Sequence, residues 1–217
     1  MRLDSYLVDI GNLGSRGRAK RAILEGYVKV NDRVITKPSH DVAYSDKIEI
    51  TEGLDKPAGY WKLKEIQEKT NLIKTGDIVL DIGSSAGGFL LYASEIASHV
   101  HGIEFSLEFR SELKKLAHEH PNITVEFGDA FTMPFESGKF DVLLMDITAS
   151  PLSSIKALEN ILTALKSGGM LLQVLKLPKD RDRDREPIMK ILSSLGLEII
   201  QILEPEKKEA YIIARKL

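Results

Sequence analysis

Ile78-Val79-Leu80-Asp81-Ile82-Gly83-Ser84-Ser85-Ala86-Gly87-Gly88-Phe89 is an apolar run, a glycine-rich loop and the start of a second apolar run that continues to Ile96. A strand followed by a sharp turn into a helix is the reading, because glycine permits the turn and lets backbone come close to a ligand. From here to the carboxyl end, apolar runs alternate with amphipathic stretches: Val100 to Ile103, Phe109 to Ala117, Ile123 to Phe127, Phe140 to Met145, Ile155 to Leu165, Met170 to Leu175, Ile188 to Leu195, Leu197 to Leu203 and Ala210 to Ala214. The alternation predicts a parallel α/β sheet covered on both faces. Between the last two strands there is no helical pattern, so they should form a hairpin, with residues 209–215 as the antiparallel member. Open α/β sheets bind ligands at the carboxyl ends of their strands, which is where the glycine loop falls. Its spacing is not G-x-G-x-x-G, so a pyrophosphate seat is disfavoured.

Two acids refine the ligand. Glu104 closes the strand His99 to Glu104, where a carboxylate can accept both hydroxyls of a ribose; Asp129, in Gly128-Asp129-Ala130-Phe131, is placed to meet an adenine amino group with an aromatic or apolar neighbour on the ring. Loop and acids together resemble the class I S-adenosylmethionine-dependent methyltransferases over about residues 60–217. The resemblance implies a Rossmann-like, mostly parallel seven-stranded sheet, S-adenosylmethionine as cofactor, and a donor site built from Asp81, Gly83, Ser84, Ser85, Gly87, Gly88, Phe89, Glu104, Asp129, Ala130 and Asp146. A dehydrogenase is the competing enzyme class, since an acid after the second strand also suits a dinucleotide ribose, but its pyrophosphate fingerprint is missing.

The amino-terminal quarter reads differently. Residues 1–52 hold nine Lys/Arg and eight Asp/Glu, yet Arg16, Arg18, Lys20 and Arg21 fall within six positions. Leu3, Tyr6, Leu7 and Ile10 have helical spacing; a second helix runs from Ser15, a fitting N-cap, toward Glu25 and stops at Gly26. Tyr27 to Val30, the turn Asn31-Asp32, Arg33 to Ile35, and Val42 with Ile48 to Ile50 complete a small α+β module. Glu52 to Gly59 lacks periodicity, so residues 53–59 are read as a linker and 60–217 as the second domain. Arg2-Leu3-Asp4, Ser15-Arg16, Ala19, Ile23, Gly26-Tyr27-Val28, Val30-Asn31 and Asp46-Lys47-Ile48 resemble the S4 RNA-binding domain. That resemblance implies structured RNA, commonly ribosomal, as partner, with Arg16, Arg18, Lys20 and Arg21 on phosphates and Lys29 nearby. A charge run on a short helix that is merely solvated is the alternative.

The acceptor is approached by what is present and absent. There is no cysteine, so covalent addition to a pyrimidine ring, disulfides and thiolate metal sites are excluded. Asp146-Ile147-Thr148-Ala149 is not the Asp/Asn-Pro-Pro-aromatic pattern of exocyclic-amine methylation. Lys62, Asp146, Lys176 and Glu209 remain, in an arrangement that resembles the FtsJ-like ribose 2′-O-methyltransferases and their Lys-Asp-Lys-Glu tetrad. With the S4-like segment in front, the chain is similar to the TlyA hemolysin-type rRNA methyltransferases over essentially its whole length. The register of the fifth strand leaves Gln173 and Lys176 as rivals for one tetrad position; Lys176 is preferred because a lysine can take a hydroxyl proton if its neighbours lower its pKa or open a relay, and glutamine cannot. Its placement is expected to need the strand to end at Leu175, ahead of Pro178. Trp61 is read as packing, and Arg181, Arg183 and Arg185 as a hydrated loop at the rim. His99, His101, His118 and His120 lack partners at metal spacing, so no metal is expected.

The net charge of −2 argues against indiscriminate coating of nucleic acid, and no apolar stretch is long enough to cross a bilayer. A cytoplasmic protein with no membrane partner is expected. Two further function classes stay open: an RNA- or ribosome-binding protein that keeps the fold without turnover, and a small-molecule methyltransferase. The sequence sets neither the oligomeric state nor the modified nucleotide.

Overall fold

The computed structural model describes all residues except 12, 14, 25, 51–55, 177–184 and 205–208, and the side chains of Arg21, Arg185 and Glu186 also lie outside the described residues. The chain forms two compact units, Met1–Pro57 and Ala58–Leu217.

In the first unit, α1 (Leu3–Asp9) and α2 (Arg16–Leu24) pack with a small sheet of β1 (Val28–Val30), β2 (Arg33–Val34) and β3 (Ile48–Ile50), ordered β2-β1-β3. Ser15 caps α2 by accepting the Arg18 N–H at 3.3 Å. The β1–β2 turn places Asn31 and Asp32 at φ 48° and 65°, a left-handed pair that Asn and Asp tolerate. Leu3, Tyr6, Leu7, Ala19, Ile23, Val28 and Val30 form the core. Asp4 is fully buried in it and accepts from Arg2 at 3.0 Å and Arg16 at 3.3 Å.

The second unit opens with α3 (Ala58–Thr70), which starts inside the segment read as linker. It continues there because Gly59 is a packing residue: Gly59 and Gly88 meet so closely that a Cβ on Gly88 would lie 2.8 Å from the Gly59 Cα. The strands are β4 (Ile78–Ile82), β5 (His99–Glu104), β6 (Ile123–Phe127), β7 (Phe140–Met145), β8 (Leu165–Lys176), β9 (Leu197–Leu203) and β10 (Glu209–Lys216). Their order is β6-β5-β4-β7-β8-β10-β9, with β10 antiparallel to both neighbours, as the missing helix before it requires. Helices α4 (Gly88–Ser94), α5 (Arg110–Glu119), α6 (Pro151–Ile161) and α7 (Arg185–Ser194) complete the unit. Strand alternation divides the apolar side chains: Val79, Val100, Leu144, Val174 and Ile213 share one core with α3 and α4, while Leu80, Ile103, Leu143, Leu171 and Ile212 share the other with α6 and α7. This two-sided burial is what the apolar runs encode. Among the described residues, no helix is long and apolar enough to cross a membrane.

Candidate active site

A cavity of about 470 Å³ opens at the carboxyl ends of β4, β5, β6 and β7, within the size range of small-molecule sites. Gly83, Ser85, Glu104, Asp129, Ala130 and Asp146 line it. The Glu104 carboxylate is 7% exposed and fixed by two backbone donors, Ser85 N–H and Ser106 N–H, each at 2.7 Å on a different oxygen. One lone pair per oxygen is left for hydroxyl donors. Asp129 Oδ1 accepts the Phe131 N–H at 2.9 Å. A Cβ on Gly83 would come within 2.9 Å of Ile147 and 3.0 Å of the Asp146 carbonyl, and its φ is +82°, so glycine keeps this wall open.

Five of the donor-site residues proposed from sequence lie outside the cavity lining. Gly87 (φ +79°) is where α5 packs, since a Cβ there would lie 2.6 Å from Leu116; Gly88 meets α3; Phe89 is buried in the core. Ser84 is 4% exposed and its hydroxyl donates to the Asp81 carbonyl at 3.3 Å. Asp81 is 1% exposed, and among the described residues neither carboxylate oxygen has a hydrogen-bond partner. Burial pushes its carboxyl up to about 7, with Asp146 and Glu104 adding to the rise and Ser84 opposing it. An uncompensated buried acid beside Asp146 and Glu104 is complementary to a cation, and S-adenosylmethionine carries an ammonium and a sulfonium. The cavity, a carboxylate with lone pairs to spare and the buried acid together fit that cofactor. Sequence reasoning missed Phe105, Ser106 and Phe109 on the wall; the aromatic directly after Glu104 was the available signal.

Asp146 also belongs to a second structure. Lys62 Nζ donates to Asp146 Oδ2 at 2.7 Å and pairs with Glu209 Oε2 at 2.9 Å, while Lys176 Nζ donates to Asp146 Oδ1 and Glu209 Oε1, both at 2.8 Å. The result is a closed ring of alternating charge, in which each carboxylate spans two ammonium groups. Tyr211 donates its hydroxyl to Glu209 Oε2 at 3.0 Å, and its ring lies 5.2 Å from Lys62 Nζ. Lys176 is the most exposed member at 38% of its side chain, against 18% for Lys62, 20% for Asp146 and 16% for Glu209.

The geometry separates Gln173 from Lys176 by ordinary alternation. β8 continues through Lys176, which pairs in register with Glu209, so the expected early end at Leu175 does not occur. Leu172, Val174 and Lys176 face α3, whereas Gln173 faces α6, fully buried, with Nε2 donating to Ser154 Oγ at 2.7 Å. Of the two routes by which Lys176 could take a proton, a lowered pKa is the one its surroundings oppose. Burial alone would lower it, but hydrogen bonds and charges from Asp146 and Glu209 raise it above its ordinary value. Burial likewise opposes ionisation of Glu209, and Lys176 and Lys62 overcome this, holding its carboxyl down at about 2.

In the first unit, Lys20 and Lys29 are exposed and Arg18 is partly exposed on α2. Arg16 divides its guanidinium between solvent and the buried Asp4, at 3.3 Å. The Arg21 side chain, Arg181, Arg183 and the Arg185 side chain fall outside the described residues. His99 and His101 both approach the Thr124 hydroxyl, at 2.9 and 2.8 Å. Trp61, expected to be packing, is 42% exposed.

Two family models match separate stretches of the chain. Residues 1–48 match the S4 domain model and residues 79–169 match a methyltransferase domain model. The chain is 32% identical over 112 residues to the ribosomal RNA large subunit methyltransferase E of Syntrophobacter fumaroxidans, covering 48% of this chain and 54% of that protein. It is 36% identical over 91 residues to hemolysin A of Brachyspira hyodysenteriae, covering 41% of this chain and 38% of that one. The chain thus spans about half or less of the length of these curated relatives. A solved structure of a hemolysin-like protein from Streptococcus thermophilus superposes with a TM-score of 0.62 at 17% identity, over 100% of this chain and 88% of that one. The fold is that of class I methyltransferases that bind S-adenosylmethionine.

Proposed function

We propose that this chain, in which a match to the S4 domain precedes a match to a methyltransferase domain, is a member of the TlyA/FtsJ-like family, that it methylates a ribose 2′-hydroxyl of structured RNA, and that the RNA is ribosomal. The observation that carries the proposal is that Asp146 lines the cavity and is at the same time a member of the Lys62–Asp146–Lys176–Glu209 ring. Donor seat and proton-handling groups therefore share a wall, as an in-line displacement needs.

S-adenosylmethionine, when bound, supplies an electrophilic methyl group on a sulfonium. Glu104 would hold the donor ribose and Asp129 the adenine edge, while Asp81, buried behind the cavity wall, would act on the cationic end by its charge. The ring acts on the acceptor. Its two ammonium groups can donate to the 2′-hydroxyl oxygen or to an adjacent phosphate, and its two carboxylates keep those ammonium groups aimed. As the hydroxyl oxygen forms its new bond, the proton passes to the small neutral fraction of a ring lysine, and Lys176 suits this by its exposure. The base is then scarce at neutral pH, because the ring raises the Lys176 pKa instead of lowering it. On the S4 domain, Arg18, Lys20 and Lys29, with Arg16 and Arg21, would take RNA phosphates, a salt-dependent contribution that orients the substrate without reading its sequence.

Lys176→Ala tests the assignment. Single-turnover methyl transfer to ribosomal RNA should fall by about 100-fold or more, with donor affinity retained because Lys176 does not line the cavity. A near-normal rate in this variant would overturn it.

A further inference from the structure

Trp61 is the single tryptophan of the chain and stands in the first turns of α3, between the buried Tyr60 and the ring residue Lys62. That end of α3 lies at the reaction centre, because Lys62 reaches Asp146 after β7 and Glu209 at the start of β10. The indole is braced by its aromatic neighbour. Tyr60 meets it edge-on with ring centroids 5.0 Å apart, and Tyr60 is itself held by Tyr92 at 5.1 Å and by its hydroxyl donating to Glu95 at 2.9 Å. Lys64 brings its ammonium to 5.4 Å from the indole centroid. Glu65, on the neighbouring turn, is paired with Lys69 at 2.7 Å. The result is a fixed aromatic surface with a cation over it, 42% open to solvent, about 100° around the helix from Lys62.

A large apolar side chain left in water forgoes the stabilisation of burial, so a rigid exposed tryptophan beside a reaction centre calls for an occupant. The occupant follows from the acceptor. To bring a ribose hydroxyl to side chains that are 16–38% exposed, the nucleotide must leave its stack, and its neighbours lose a stacking partner. Aromatic plates restore that partner for any base, since every base has a π-face, and a nearby cation favours the phosphates. We propose that Trp61 is a stacking plate for a nucleobase adjacent to the nucleotide whose ribose occupies the ring. The proposal rests on the reading of RNA ribose as acceptor.

The full chain carries its own probe, because Trp61 alone gives tryptophan emission. Titration with transcribed large-subunit ribosomal RNA, corrected for absorbance, should quench that emission in step with binding measured on filters, whereas S-adenosylmethionine alone should not. Trp61→Ala should raise KM for the RNA about tenfold at nearly unchanged kcat and donor affinity, and Trp61→Phe should recover much of the loss. RNA that binds without changing the emission would overturn the proposal. So would an unchanged KM in a Trp61→Ala variant that binds donor normally. If the wild-type chain methylates RNA and either of these results appears, only the stacking plate fails. If it binds RNA with quenching yet transfers no methyl group, the acceptor reading fails and the plate stands as an RNA contact. If it binds no RNA, both fail.

Discussion

Glu209→Gln keeps the shape of one ring member and removes its charge. In the folded chain Glu209 is 16% exposed and takes Lys62 at 2.9 Å, Lys176 at 2.8 Å and Tyr211 at 3.0 Å. Burial opposes its ionisation, but the two lysines outweigh burial and hold the carboxyl at about 2 against an ordinary 4.5. At about 1.4 kcal/mol per pKa unit, and discounting for the half-open Lys176, the ionised group stabilises the fold by about 2 kcal/mol. Because the folded pKa is depressed, this contribution is present above pH 4.5 and is lost as pH falls toward 2. Urea unfolding followed by Trp61 emission, which reports the second unit, should therefore show Glu209→Gln destabilised by about 2 kcal/mol at neutral pH, with the deficit shrinking below pH 4.5. Single-turnover methyl transfer should fall about 100-fold while donor affinity holds, since Glu209 does not line the cavity. Equal neutral-pH stability, or a deficit that persists unchanged in acid, would refute the reasoning.

Three other outcomes are expected. The wild-type single-turnover rate at saturating donor and RNA should keep rising with pH through the alkaline range, because the Lys176 pKa lies above its ordinary 10.5; a plateau near neutrality would identify a different base. Asp81, raised to about 7 in the free chain, is protonated below that pH, and a cationic donor favours its ionised form. Donor binding near pH 6 should accordingly release a proton, seen by calorimetry in buffers of different ionisation enthalpy, and donor affinity should climb with pH up to about 7; binding without proton release would remove Asp81 from the donor site. Arg18→Ala with Lys20→Ala should weaken RNA binding and flatten its salt dependence with little change in stability, whereas Arg16→Ala should also destabilise the first unit because it uncovers one side of the buried Asp4. Identical salt titrations for the double variant would reject the α2 surface.

The sheet was legible because its strands are buried on both faces and so read as apolar runs, and because the missing helix before residue 209 allows only a hairpin. The acids at the strand ends were legible from position, Glu104 most directly. The side assignment of Lys176 was obscured by a reading that sought a broken strand; counting Leu172, Val174 and Lys176 as one face places it with α3 and needs no break. The pKa shifts of Lys176 and Glu209 could not be read from residue types, because they depend on partners brought from different strands and from α3. The glycines of the loop look alike in sequence, yet Gly83 opens the cavity while Gly87 and Gly88 admit α5 and α3. That distinction lies in contacts far along the chain. Trp61 packs on Tyr60 yet stays 42% exposed, because helical spacing places Tyr60 inward and does not say what covers the next residue.

The most direct test of the account is the chemical identity of the methylated product. Transcribed ribosomal RNA and isolated ribosomal subunits are incubated with the full chain and isotopically labelled S-adenosylmethionine, digested to nucleosides, and resolved by mass spectrometry. Label is expected in a 2′-O-methylated nucleoside, and is lost in Lys176→Ala. Label on a base, or none in RNA while donor is bound, would contradict the account.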